Sequence, residues 1–489
     1  MKTENSSGDN QVEASSTGPG RDDGGDSGDG KRHRIQRAVF SNKLAFVLAA
    51  SASAIGLGNL WRFPALAAKY GGGAFIVVYI ILVATFGFTL MVAQIALGRK
   101  TGLSAIGAYR HFGKRYAFIG VLESLVPFII LPYYCVIGGW ILKYCSVFMA
   151  GQQQAASDGG GFFTGFISAP HEPLVWTTAF VVLSLAIVFI GVKNGIERLN
   201  RVFMPLLLVL TLFVGLYSLT IPGALDGLAF YLIPHLEDFN IATVVAAMGQ
   251  MFFSLSLAMG IMVTYGSYMR REDDLTHSVG HIEVFDTVIA LLAGFMIIPA
   301  VFALSGAAGA EQAGPGLMFV TLPQVFVTTP IAQVLGIAFF VLVLFAALTS
   351  AISLSEAAVS VVIDRFGLAR RKAVVVVALV VAALAVLPTL GFSTLSWLAV
   401  PVGPVNMGIL DFMDFLSNSV LMPLVALFIC LMVGWWVGVG FVKEEVELDG
   451  KSRFRREGLF RVMIRYVAPV FLVVILVSSI LNALGLISL

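Results

Sequence analysis

The residues best equipped for chemistry in this chain stand inside stretches that are otherwise apolar. Gly56, Gly58, Asn59, Arg62 and Pro64 interrupt the run 41–69; Ser254, Ser256 and Gly260 interrupt the run 241–270; Asp286 and the pair Thr349 and Ser350 lie in two further runs. Glycine weakens a helix and proline removes an amide donor. Hydrocarbon offers no water to a freed amide or carbonyl, so backbone unwound at membrane depth persists only when buried in protein or used to hold something polar. Free carbonyls joined by hydroxyl and amide oxygens suit a hard monovalent cation such as sodium. An ionised carboxylate in a membrane helix is costly, and Asp286 therefore marks a functional position that needs a cation beside it. The unpaired amides of Leu57 and Gly58, at the N-terminal end of a half-helix, suit a carboxylate. The carbonyls of Ala54, Phe253 and Ser254 with the Ser256 hydroxyl suit an ammonium group. A ligand carrying both groups side by side is an α-amino acid.

These residues need a membrane-embedded scaffold, and the composition supplies one. Of the 489 residues, 58% are hydrophobic and 12% charged, with a mean hydropathy of +0.90, which excludes a soluble core. Residues 1–34 are rich in Ser, Gly, Asp and Asn and cannot bury enough apolar surface to order themselves; they are expected to form a disordered cytoplasmic tail. The remainder, 35–489, reads as a single transmembrane domain of eleven apolar runs, each long enough to cross the hydrocarbon. They are 41–69 (broken), 72–98, 117–149, 174–191, 197–219, 241–270 (broken), 281–306, 332–364, 372–389, 409–438 and 459–486.

Positive charge collects in cytoplasmic loops, which tests that count independently. Arg99, Lys100, Arg110, Lys114 and Arg115 follow the second run, Lys193 the fourth, Arg270 and Arg271 the sixth, Arg365 to Lys372 the eighth and Lys443 to Arg456 the tenth. Beyond the tail, only Arg62, Lys69 and Lys143 fall on the other side. The N-terminus is therefore expected inside the plasma membrane and the C-terminus outside. The net charge of +2 gives no basic field for nucleic acid. Cys135, Cys145 and Cys430 sit in apolar runs without metal-ligand or disulfide spacing and read as packing residues. No metalloprotease helix, phosphate-binding glycine loop or nucleophile elbow is present, so no enzyme, organic cofactor or ATP coupling is expected.

The second break falls five spans after the first. Paired interruptions in corresponding helices of two halves point to a secondary transporter with an inverted repeat. The chain resembles the neurotransmitter:sodium symporter family, in its bacterial eleven-helix amino-acid transporter branch. The resemblance rests on Gly56-Leu-Gly-Asn-Leu-Trp-Arg-Phe-Pro64 with Gly71-Gly-Gly-Ala-Phe75, on Tyr133-Tyr134, and on Gly195-Ile-Glu-Arg-Leu199 with Pro205. It extends to Gly249-Gln-Met-Phe-Phe-Ser-Leu-Ser256 and Leu348-Thr-Ser350. It implies an all-α fold with repeats at about 37–220 and 241–438, an additional helix at 459–486, and breaks in helices 1 and 6.

The resemblance also implies roles. A first sodium would be held by Ala54, Asn59, Ser254 and Asp286, and a second by Ala52, Ile55, Ala346, Thr349 and Ser350. Thr349 and Ser350 have a plainer alternative, back-bonding to a carbonyl one turn earlier. The substrate would meet Ala54, Leu57, Gly58, Tyr134, Phe253, Ser254 and Ser256. Its side chain would be surrounded by Ile130, Phe253, Ala258, Met259, Ala351 and Leu354. None of these is charged, so a neutral apolar or aromatic side chain is expected, and Ala258 is expected to narrow the pocket. Chloride-dependent relatives carry a neutral residue near Asp286; the acid here implies independence from chloride. Arg62, Gln250, Phe253 and Asp414 fit an outer gate, and Arg37, Phe40, Tyr268 and Asp364 an inner one. The function expected is sodium-coupled import of such an amino acid by alternating access. A sodium-dependent membrane sensor without net transport is the alternative. Oligomeric state is not legible.

Overall fold

The computed structural model describes residues 39–237, 239–311, 314–448, 450 and 452–486. The expected tail and Arg37 lie outside the described residues. The first span begins where the Asn42 side chain accepts the Ala45 amide and caps α1, Lys43–Ala54. It resumes after a 51° bend as α2, Gly58–Lys69, whose first turn is wound as a wide π turn over Gly58–Arg62. There follow α3 (Gly73–Thr101), α4 (Lys114–Met149), α5 (Glu172–Ile190) and α6 (Val192–Ser218). The second broken span is α7 (Ile241–Ser254) and α8 (Ile261–Gly266). The remaining crossings are α9 (Leu275–Ala310), α10 (Ala332–Phe366), α11 (Arg370–Leu390), α12 (Ile409–Trp436) and α13 (Glu457–Ala483).

Among the described residues nine helices are long and apolar enough to cross a membrane, and the bent pair α1 and α2 makes ten. The sixth expected run, 241–270, which would bring the count to eleven, is divided into α7 and α8, neither long enough to qualify alone. Its break is also wider than the residue types suggest. Helical geometry ends at Ser254 and does not return until Ile261. The span expected at 281–306 begins at Leu275, because Asp274 caps its first turn by accepting the His277 amide. A two-stranded hairpin, Val400–Val402 against Val405–Met407, stands outside the all-helical expectation, in the connection before α12.

The broken helices occupy the centre of the bundle. α1 packs on α9, α10 and α6, while α4 lies against α10, α5 and α11. Phe46, Ala49, Ala50, Ala52 and Ile55 of the first span are completely inaccessible. By contrast, α5, α6, α11 and α13 leave Val182, Leu216, Leu379 and Val470 more than half exposed, as faces turned to hydrocarbon do. Unwound backbone thus sits where protein, not lipid, surrounds it.

Candidate functional site

The two breaks meet. The Ser53 carbonyl, in the last turn of α1, accepts from the Ser256 hydroxyl in the second break at 3.1 Å and from the Ser350 hydroxyl of α10 at 3.1 Å. Three elements distant in sequence are therefore joined at one carbonyl that the sequence alone did not single out. Ser350 also lies 3.5 Å from the Ile55 carbonyl. The Thr349 hydroxyl back-bonds to the carbonyls of Phe345 and Ala346, each at 3.0 Å, as the plainer alternative has it. A hydroxyl that donates its proton this way keeps its lone pairs, so the bond does not disqualify it as a cation ligand.

On the other side of the break, Asp286 of α9 is fully buried. Its carboxylate accepts from Asn59 Nδ2 at 2.8 Å, from the Tyr79 hydroxyl at 3.0 Å and from the Ser254 hydroxyl at 2.9 Å. Ser254 also lies 3.2 Å from Asn59 Oδ1. All the donors are neutral, and among the described residues Asp286 makes no ion pair. The result is a buried oxygen-rich cluster of net negative charge, chemistry that a hard cation completes. Tyr79 was not anticipated, since a tyrosine in an apolar run looks like packing until its hydroxyl is placed.

The conformation of the second break is unusual for its residue types. Among the described residues, Ser256 (φ 52°) and Ala258 (φ 58°) are the non-glycine residues with positive φ, followed by Gly260 at 72°. For an L-residue that conformation costs about 1–2 kcal/mol. It is retained because the freed amides have buried partners: Gln94 Oε1 accepts from the Ala258 amide at 3.2 Å and Glu123 Oε1 from the Gly260 amide at 3.1 Å. Glu123 was overlooked, although the rule that drew attention to Asp286 applies equally to any acid in a membrane helix. Replacing Ala258 with Gly is expected to relieve the strain and stabilise the protein by about 1 kcal/mol. A raised thermal unfolding midpoint in detergent checks it; a lowered one rejects the strain.

A small cavity of about 20 Å³ lies between the breaks, bounded by Gly56, Leu57, Tyr134, Phe253, Ser256 and Leu354 among others. Ile130, Met259, Ala54 and Gly58 of the expected contacts also line it, as do Ser53, Asn59, Ile261 and Ser350, which were not expected there. Ala258, Ala351 and Ser254 do not. Ala258 departs from the expectation because its amide is tied to Gln94, away from the cavity, and Ser254 is committed to Asp286. The volume holds roughly one water, so an amino acid enters only if side chains shift. The Leu57 amide lies 3.4 Å from the Tyr134 hydroxyl, and the Ser256 hydroxyl, assigned above to an ammonium, bonds to Ser53.

Above this cavity opens a vestibule of about 500 Å³ lined by Trp61, Arg62, Tyr133, Asp411 and Asp414. Leu57, Tyr134 and Phe253 line both spaces and together form the partition between them. Arg62 faces the Phe253 ring at 5.7 Å and makes no ion pair with Asp414. Asp414 instead accepts from the Tyr133 hydroxyl at 3.1 Å and Asn418 Nδ2 at 2.6 Å, while Gln250 donates to the Gly58 carbonyl at 3.0 Å. The expected outer pair therefore faces across a space instead of closing it.

The opposite side is tightly filled. Phe40 is buried edge-on against Phe46, Tyr265 and Tyr268. The Tyr268 hydroxyl donates to Glu356 at 2.7 Å, and Asp364 accepts the Ser104 amide at 2.7 Å. Glu356, unmentioned by the sequence reading, is completely buried and ion-paired with Arg370 at 2.5 Å.

Gly58 shows how little room the site leaves. A Cβ there would lie 2.4 Å from Cδ1 and 2.7 Å from Cε1 of the Phe253 ring. Overpacking of this kind costs about 1–3 kcal/mol. Gly58→Ala is expected to weaken substrate binding roughly tenfold or more by displacing the partition, read by scintillation proximity binding; unchanged affinity would show that the ring swings freely.

Comparison with known proteins shows the family. The model of the sodium:neurotransmitter symporter family matches residues 37–154 and 169–486. The sodium-dependent transporter YhdH of Bacillus subtilis is 33% identical over 92% of this chain and 98% of its own. The sodium- and chloride-dependent GABA transporter 2 of Bos taurus is 27% identical over 84% of this chain and 75% of its own. Among solved structures, that of MhsT in complex with L-phenylalanine superposes with a TM-score of 0.82 at 37% identity, covering 91% of this chain and all of that one. With two broken helices meeting at a buried carboxylate, and matches over nearly the whole chain, this protein belongs to the sodium:neurotransmitter symporter family.

Proposed function

We propose that this sodium-coupled membrane transporter imports a neutral, apolar or aromatic L-amino acid, without a chloride requirement. The observation that carries the reading is the junction of the breaks. The Asp286, Asn59 and Ser254 cluster lies on one side of it and the Ser53, Ile55, Thr349 and Ser350 oxygens on the other, with the cavity between. Sodium is here a co-substrate. The first cluster supplies carboxylate, amide and hydroxyl oxygens; the second supplies carbonyls of Ala52, Ile55 and Ala346 with the two hydroxyls. Amides at the start of α2 offer a seat for the substrate carboxylate. The bound L-phenylalanine of MhsT supports an apolar or aromatic side chain, as does a wall formed by Ile130, Phe253, Met259, Ile261 and Leu354.

In this reading the open vestibule and filled opposite side are one extreme of alternating access. Arg62 and Asp414 close over Phe253 as the contacts around Phe40, Tyr268 and Asp364 loosen. The N-terminus is cytoplasmic and the C-terminus extracytoplasmic, in the plasma membrane. Purified protein in liposomes tests the function directly. Labelled amino acid should accumulate above equilibrium under an inward sodium gradient, with chloride replaced by gluconate, and not under a potassium gradient. Sodium-dependent binding without accumulation would instead identify a sensor.

A further inference from the structure

Away from both breaks, the first turns of α9 and the segment 452–456 bound a groove of about 760 Å³. Arg453, Arg455 and Arg456 with His277 and His281 form its basic mouth, and its apolar lining is the buried Phe88 and the exposed Val284. We propose that this groove binds an anionic glycerophospholipid, the phosphodiester among the arginines and the acyl chains along α9.

Three observations support a lipid. First, among the described residues none of the three arginines forms an ion pair, whereas neighbouring Lys443 and Arg461 both bind Glu457. Arg456 lies over the buried Phe88 ring at 4.8 Å, a cation held against an apolar wall without a carboxylate to neutralise it. Second, the acids nearby are not available to do so. Burial alone would raise the Asp274 carboxyl, but hydrogen bonds from the His277 amide, Ser452 and Thr276 hold it below its ordinary value, ionised and committed to capping α9. Glu283 is buried, does not line the groove and makes no ion pair with Arg456 among the described residues. Lys43 adds a further positive charge by its contact with His277 Nδ1 at 2.5 Å. Third, the groove is amphipathic along its length. From Thr276 to Val284 it follows α9 for about 12 Å, at 1.5 Å per residue. It then continues into exposed Val284 (62%), Phe285 (37%) and Val288 (43%). Free phosphate would use only the mouth. A phospholipid uses the basic mouth and the apolar flank together, the pattern of basic pockets between membrane helices that take anionic headgroups.

The full chain in detergent provides the test, with phosphatidylglycerol, phosphatidylcholine of the same acyl chains, and inorganic phosphate added separately. Unfolding midpoints and lipid retained in native mass spectrometry are read. Phosphatidylglycerol should raise the midpoint and remain bound, and the other two should do neither. R453Q/R455Q/R456Q should lower phosphatidylglycerol retention by about tenfold or more. The equally charged-depleted variant R110Q/K114Q/R115Q, elsewhere on the basic face, should keep it. If the first variant does not fold, Val284→Glu places an acid on the exposed groove wall and should have the same effect. Equal retention in the groove and control variants overturns the site, and a midpoint shift produced by phosphate alone overturns the lipid.

Discussion

Asp286→Asn is expected to reduce sodium-driven uptake in chloride-free medium by about a hundredfold, and added chloride is expected to restore part of it. The carboxylate is fully buried and served by three neutral donors, Asn59, Tyr79 and Ser254. Asparagine preserves size and one oxygen while removing the charge. If Asp286 holds the proposed sodium, what is lost is the attraction between a desolvated anion and its cation; removing one partner of such a buried pair costs about 3–5 kcal/mol, more than a hundredfold in affinity. A diffusible anion can replace a fixed one if it reaches the same neighbourhood. Uptake into liposomes, with chloride and gluconate compared at constant sodium, measures both parts. A variant that is inactive in either medium but still folded would mean that Asp286 acts through its hydrogen bonds and not its charge.

Arg370→Ala should destabilise the fold by about 3 kcal/mol. Arg370 donates to Glu356 at 2.8 and 2.5 Å and to the Val188 carbonyl at 2.9 Å, so it ties α10, α11 and α5 together. Truncation leaves the Glu356 carboxylate buried with the Tyr268 hydroxyl and no counter-charge. That penalty can be separated from the lost contacts. Adding Glu356→Gln to Arg370→Ala should recover part of the unfolding midpoint, because an uncharged amide is cheaper to bury than an orphaned anion. A double variant less stable than the single would show that the carboxylate retains a partner without the arginine.

The hydropathy of the runs made the membrane fold legible, and their interruptions made its two defects legible. Gly56, Gly58, Asn59 and Pro64 announced the first break because each residue type disfavours helix. The second was legible only in outline: Ser256 and Ala258 adopt a left-handed conformation that nothing in their own chemistry requests. The cause lies in Gln94 and Glu123, more than a hundred residues away in sequence, whose side chains hold the freed amides. Tyr79 and Ser53 were invisible for a related reason. A hydroxyl in an apolar run and one carbonyl among many acquire meaning only when the helices cross. Glu123 and Glu356 could have been found, since both are acids within apolar spans. The separation of Arg62 from Asp414 belongs to a conformation, which residue types do not encode.

The partition that Phe253 forms with Leu57 and Tyr134 has a consequence for how the transporter would respond to inhibitors. The ring borders both the small cavity and the 500 Å³ vestibule. A bulky molecule lodged in the vestibule against Trp61 and Tyr133 need never touch the substrate's seat to arrest the cycle. By pinning the ring it would trap whatever lies beneath, so that blockade would grow firmer as substrate concentration rises, the kinetic signature of an uncompetitive inhibitor.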